Sequence, residues 1–172
     1  MVNILQKLGI RKKKLNLIVC GLENSGKSSI ISHLKPSSEV KQEILPTAGY
    51  KLEEFSRNGY YCRVFDLSGA GKYRPMWKYF FENLEGILFV IDVSDTKRLC
   101  VAIDELLDLV SNKELAGVPV LVCANKIDID KKKVSLAQIH SILSLEGSNR
   151  NGRLKEQVPK KEQESKKHLL GL

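Results

Sequence analysis

Apolar residues in this chain follow two rhythms that take turns along its length. Leu15-Asn16-Leu17-Ile18-Val19-Cys20 is an apolar run of strand length, and Ile30, Ile31 and Leu34 then fall on one face of a helix over 27–35. Two further strand-like runs, Lys51 to Phe55 and Tyr60 to Phe65, are joined through Arg57-Asn58-Gly59, and Asn-Gly is a strong hairpin signal. A helix is predicted within 70–84, a strand at Gly86–Asp92 and a long helix at 97–111, with Leu99, Ala102, Ile103, Leu106, Leu107 and Val110 on its buried face. A strand at 118–124 and an amphipathic helix at 134–143, carrying Leu136, Ile139, Ile142 and Leu143 on one side, complete the series. Alternating strands and helices predict an α/β fold: a doubly wound, mostly parallel sheet with the hairpin as its antiparallel edge.

From Gly147 the pattern stops. The chain becomes rich in Gly, Asn, Lys and Glu, with Pro159 and isolated apolar residues, and is predicted to be disordered. The layout is therefore an amphipathic and basic segment at 1–14, one domain at 15–146 and a basic tail at 147–172. In 172 residues with 42% hydrophobic content there is enough apolar surface for one substantial core.

The net charge of +8 is localised. The tail holds seven Lys or Arg against three Asp or Glu, a net +4, and Arg11 to Lys14 form a second basic block. Charge confined to two segments argues against a nucleic-acid-binding domain, which spreads basic residues over one face. It suits weak attraction to anionic lipid, or simply a solvated segment. Cys20, Cys62, Cys100 and Cys123 sit in apolar stretches without CxxC spacing, as reduced core residues of a cytoplasmic protein do. His33, His140 and His168 form no ligand cluster, and no run has transmembrane length.

The candidate chemistry lies where strands end. Gly21-Leu22-Glu23-Asn24-Ser25-Gly26-Lys27-Ser28, followed by Ser29, fits the phosphate-cradling G-x-x-x-x-G-K-[ST] loop between a strand and a helix. Such a loop aims backbone N–H groups and the positive end of a helix dipole at one point. Lys27 supplies a charge for the β- and γ-phosphates, and Ser28 a hydroxyl for Mg²⁺. Asp66, at the end of the third strand, is placed to hold Mg²⁺ through water, and the N–H of Gly69 to reach a γ-phosphate. Asn125-Lys126-Ile127-Asp128 follows the strand at 118–124, at the end where open α/β sheets bind ligands. An Asp accepts from the N–H and amino group of guanine, a pair that adenine does not offer.

In this order the three segments resemble the small GTPases, a P-loop NTPase fold, and within them the Arf and Arf-like branch. Ile44-Leu45-Pro46-Thr47-Ala48-Gly49-Tyr50 resembles that branch's first switch and Lys72-Tyr73-Arg74-Pro75-Met76-Trp77 its second. Leu34-Lys35-Pro36-Ser37-Ser38, Asp66-Leu67-Ser68-Gly69 and Gly71-Lys72-Tyr73-Arg74 are most similar to the Bardet–Biedl type of Arf-like GTPase, which recruits a membrane coat complex to cilia. The resemblance covers residues 1–146. It implies GTP or GDP and Mg²⁺ as ligands, with Ser28, Thr47 and Asp66 serving the metal. It also implies a switch whose GTP form gathers effectors through Tyr50, Phe65 and Phe80, at the membrane periphery or the cilium; ordinary packing between the switches is the other reading of those three rings.

Three departures from the family bear on function. Its catalytic Gln position is Ala70, whose methyl neither donates nor accepts a hydrogen bond, so enzyme activity is left open and slow intrinsic hydrolysis is expected. Its sixth strand, its guanine-closing Ser-Ala loop and its last helix are not recognisable here, which leaves the strand at 118–124 as an exposed edge. Val2 occupies the position of the myristoylated glycine, so the short helix bearing Ile4, Leu5 and Leu8 is left to bind membrane weakly or to fold back on the domain. The competing reading is a non-catalytic pseudo-GTPase or truncated isoform acting only as a binding module.

Overall fold

The computed structural model describes residues 13–36, 47–129 and 141. The first-switch residues 44–46, the segment 1–12, most of the predicted helix 134–143 and the tail 147–172 lie outside them. Five strands form one sheet: β1 (Lys13–Cys20), β2 (Tyr50–Arg57), β3 (Tyr60–Leu67), β4 (Gly86–Asp92) and β5 (Val120–Asn125), in the order β2-β3-β1-β4-β5. Only the β2–β3 pair is antiparallel; β1–β3, β1–β4 and β4–β5 are parallel. The doubly wound sheet with one antiparallel hairpin is as the pattern predicts.

Strand lengths follow partners rather than apolar runs. In β1, the polar Lys13 and Lys14 are held in the ladder by pairing with Tyr60 and Tyr61 at the turn end of the hairpin. The hairpin closes on Asn58 and Gly59, with φ 50° and 81°, the doubly positive turn that matches strand twist. Its strands reach Tyr50 and Leu67, further than the sequence pattern suggests. β5 starts at Val120, since Pro119 has no N–H for a ladder; its carbonyl accepts from the Ile87 N–H at 2.9 Å.

Helices α1 (Lys27–Leu34) and α2 (Leu99–Ser111) cover opposite faces. α1 stops one residue early because Lys35 precedes Pro36 and is driven to an extended ψ of 153°. In β1, Val19 packs with Ile31, Phe55, Val64 and Val90 on the α1 side, while Ile18 and Cys20 join Phe89, Ile91, Ala102 and Leu106 on the other. A sheet buried on both faces needs continuous apolar stretches, which Leu17–Cys20 of β1 and Ile87–Ile91 of β4 supply. On α2, Leu109 takes the core position expected of Val110, which is half-buried along with Leu99 and Leu107.

The second-switch helix predicted within 70–84 is corrected: residues Arg74–Phe80 form a 3₁₀ helix. Pro75 sits in its first turn, and aromatic residues, weak helix formers, fill most of the rest. Asn83, at φ 55°, then bars continuation. Among the described residues β5 forms an edge of the sheet. Unlike the opposite edge, where β2 carries Lys51, Glu53, Glu54 and Arg57, it has no charge from Val120 to Ala124.

Candidate nucleotide site

The carboxyl ends of β1, β3, β4 and β5 bring together residues that are far apart in the chain. The loop Gly21–Gly26 leaves β1 and enters α1, with Gly26 capping the helix at φ 95°. A Cβ on Gly26 would lie 2.2 Å from Asn125 Nδ2, and that amide donates to the Ser25 carbonyl at 2.8 Å. The phosphate loop and the Asn-Lys-x-Asp loop are thus fastened together, and the contact requires glycine. Gly26→Ala is expected to push the two loops apart, lowering nucleotide affinity by about tenfold or more and stability by about 1–3 kcal/mol. Nucleotide titration with thermal unfolding checks it; unchanged affinity would contradict the geometry.

Within the loop the roles divide. Leu22 is buried in the core and offers only its backbone to a ligand; Glu23 is exposed and pairs with Arg98 at 3.4 Å. Asn24 takes φ 62°, Ser25 is buried with its hydroxyl unpartnered, and Ser29 lies in the first turn of α1. Lys27 is buried, and its Nζ donates to the carbonyls of Gly21 at 3.1 Å and Leu22 at 2.7 Å. Burial pushes its pKa down, against the pull of Asp66, Cys20 and Glu23.

Ser28, Thr47 and Asp66 converge. Ser28 Oγ donates to Asp66 Oδ2 at 2.5 Å, and Thr47 Oγ1 lies 3.5 Å from both Ser28 Oγ and Asp66 Oδ2. Asp66 is 1% exposed, and its Oδ1 is buried without a partner. Burial raises its pKa, although Ser28, Lys27, Thr47 and Lys51 all favour the charged form. Two hydroxyls around a buried carboxylate that has one oxygen left unpartnered suit a hard cation such as Mg²⁺. The sequence-predicted metal residues therefore fit the group.

At the base-loop end, Lys126 adopts φ 62° and its Nζ pairs with Asp92 Oδ2 at 2.7 Å. Ser94 donates to Asp92 Oδ1 through its N–H at 3.0 Å and its hydroxyl at 2.6 Å. Burial would raise the Asp92 pKa, but Lys126 and Ser94 outweigh it and hold the carboxyl low. Asn125 and Lys126 are thus tied into the scaffold, whereas Asp128 is exposed. Sequence reading missed Asp92, although a polar residue ending an apolar strand at the ligand edge was a usable signal.

The second switch lies against the phosphate loop. A Cβ on Gly69 would fall 2.2 Å from the Gly21 oxygen and 2.3 Å from the Glu23 nitrogen. Ala70 is half-buried, and its carbonyl accepts from the N–H groups of Tyr73 at 2.8 Å and Arg74 at 3.3 Å. The three predicted patch residues do meet. Phe80 packs in a tilted arrangement against Tyr50 at 4.8 Å and Phe65 at 5.2 Å between ring centroids, and Tyr50 remains 51% exposed. Tyr50 and Phe65 are diagonal neighbours across the hairpin, close enough for rings to touch. No helix among the described residues is long and apolar enough to cross a membrane.

The model of the ADP-ribosylation factor family matches residues 1–166, reaching past residue 146. ADP-ribosylation factor-like protein 6 of Danio rerio is 39% identical over 141 residues, covering 81% of this chain and 75% of that one. The protein of the same name in Caenorhabditis elegans is 38% identical over 123 residues, covering 70% and 65%. Among solved structures, the Arl6 BBS3 small GTPase from Trypanosoma brucei, with bound nucleotide analogue GppNp, superimposes with a TM-score of 0.73. It is 32% identical, and the match covers 84% of this chain and 87% of that one.

Proposed function

This chain belongs to the ADP-ribosylation factor family, and on that premise we propose that it is a guanine-nucleotide-dependent switch with slow intrinsic GTP hydrolysis. The observation that carries the reading is the convergence of Ser28, Thr47 and Asp66 beside a phosphate loop on which Gly69 rests. In this reading the loop N–H groups and Lys27 hold the phosphates. Ser28 and Thr47 hold Mg²⁺, which screens the phosphate charge when bound, and Asp66 assists through water. Thr47 and the Gly69 N–H engage a triphosphate and let go of a diphosphate, so the two switches order and relax together.

The exposed ring of Tyr50 over Phe65 and Phe80 supports an effector surface that the ordered switches complete. The resemblance to the Bardet–Biedl type extends the proposal to a ciliary coat complex as partner, with a cytoplasmic protein touching membrane weakly through its basic segments. Ala70 favours a second reading, a non-catalytic binding module. Titration with fluorescent GDP, GTP and ATP in Mg²⁺ separates the two. Submicromolar guanine-nucleotide binding without ATP binding supports the switch, and equal binding of ATP and GTP overturns it.

Asp128 carries the base preference in this proposal. Asp128→Asn should weaken guanine-nucleotide binding by roughly tenfold or more and improve xanthine-nucleotide binding, because the 2-oxo group of xanthine reverses one hydrogen bond. Competition between GDP and XDP checks it; an unchanged preference would remove Asp128 from base recognition.

A further inference from the structure

Two successive peptide groups at the start of the second switch are gripped by their carbonyls. The buried Trp77 donates from Nε1 to the Ser68 oxygen at 3.0 Å. Arg74 donates from Nε to the Gly69 oxygen at 3.1 Å, and its Nη1 pairs with Glu105 Oε1 of α2 at 2.6 Å. Both Arg74 and Glu105 are half-buried, at 23% and 27% side-chain exposure, where a charge-assisted hydrogen bond counts for more than at the surface.

A trans peptide directs its N–H opposite to its C=O. With the Ser68 and Gly69 oxygens fixed on Trp77 and Arg74, the N–H groups of Gly69 and Ala70 are turned away from both side chains. The Cα of Gly69 meanwhile lies against the backbone of Gly21, Leu22 and Glu23. Gly69 sits between these peptides and tolerates conformations that other residues resist, so the two grips select one setting among them.

Resting on the nucleotide reading above, we propose that Trp77 and Arg74, the latter oriented by Glu105, are positioning residues that preset the Gly69 and Ala70 N–H groups for the γ-phosphate. Arg74 suits the task because its rigid fork serves a carbonyl with one arm and a carboxylate with another, which a lysine ammonium on a flexible stem does not do at fixed geometry. Glu105 acts through Arg74: it fixes the guanidinium so that Nε stays on Gly69. The latch also joins α2 to the end of the molecule that distinguishes a triphosphate from a diphosphate.

The test compares Glu105→Gln, Arg74→Lys and Trp77→Phe with the native full chain. Affinities for a fluorescent non-hydrolysable GTP analogue and for fluorescent GDP are measured in Mg²⁺. Trp77→Phe keeps an aromatic ring in the core and removes only the donor. Each variant should bind the GTP analogue about five- to twentyfold more weakly relative to GDP, whose own affinity should change less than about twofold. The ratio is what is read. A loss of both affinities in equal measure, as general destabilisation gives, or a ratio within about twofold of native in all three variants, overturns the latch while leaving the switch intact. A native chain that binds no guanine nucleotide overturns the reading of the site and the latch with it.

Discussion

Lys27→Ala is expected to weaken GTP binding by about 100- to 1,000-fold, since truncating a buried charge that is hydrogen-bonded to its partner costs a few kcal/mol. Lys27 is only 6% exposed, so water has little access to take over its role. Asp66 is one of its neighbours, and two loop carbonyls accept from its ammonium. Removing the ammonium takes away one of the positive charges that offset the triphosphate, beside a buried carboxylate. Lys27→Met keeps much of the apolar stem and should lose as much, which separates charge from packing.

Ser28→Asn should act through the metal. The longer amide displaces an oxygen that lies 2.5 Å from Asp66 and 3.5 Å from Thr47. GTP binding should therefore fall more than GDP binding, because Thr47 can close on a triphosphate only around a correctly held cation. Isothermal titration with both nucleotides, after thermal unfolding has shown each variant folded, checks both substitutions. Native affinity in either Lys27 variant would mean that the loop is not a working phosphate site.

What could be read from the sequence follows from how tightly chemistry constrains it. Phosphate- and cation-binding motifs need particular residue types at fixed offsets from strand ends, so Gly21–Ser28, Asp66, Gly69 and Asn125–Asp128 stand out as candidates, and the fold places all of them along one end of the sheet. The alternation of apolar runs gave Gly86–Asp92 residue for residue, because a central strand buried on both faces leaves little choice.

Tertiary contacts decided the rest. The 3₁₀ helix at Arg74–Phe80 owes its position to Trp77, whose indole reaches both the Ser68 carbonyl and an edge-on contact with Phe89 at 6.3 Å. A helical period cannot reveal that. Nor could spacing show that Asn125 fastens the phosphate loop, that Asp92 holds Lys126, or that Arg74 spans from Gly69 to α2. Each is a polar contact between distant segments, and polar periodicity carries no information about distance through space.

Ala70→Gln is expected to raise single-turnover GTP hydrolysis by on the order of a hundredfold, within the range that a positioned acid–base group contributes. Nucleotide affinity should change little, because the added amide acts on water and not on the phosphates of the ground state. The backbone permits the exchange: Ala70 is absent from the positive-φ residues, and its carbonyl already anchors the turn to Tyr73 and Arg74. A glutamine there would start beside Gly69, which packs on the phosphate loop, and so within reach of water attacking a γ-phosphate. The measurement is phosphate release from preloaded protein without any partner, alongside GDP and GTP affinities for both forms. Suppose instead that the native protein binds GTP and already hydrolyses it as fast as the variant. Another residue would then have to orient the water, and the slow-hydrolysis reading of Ala70 would fall while the switch and its binding site stood.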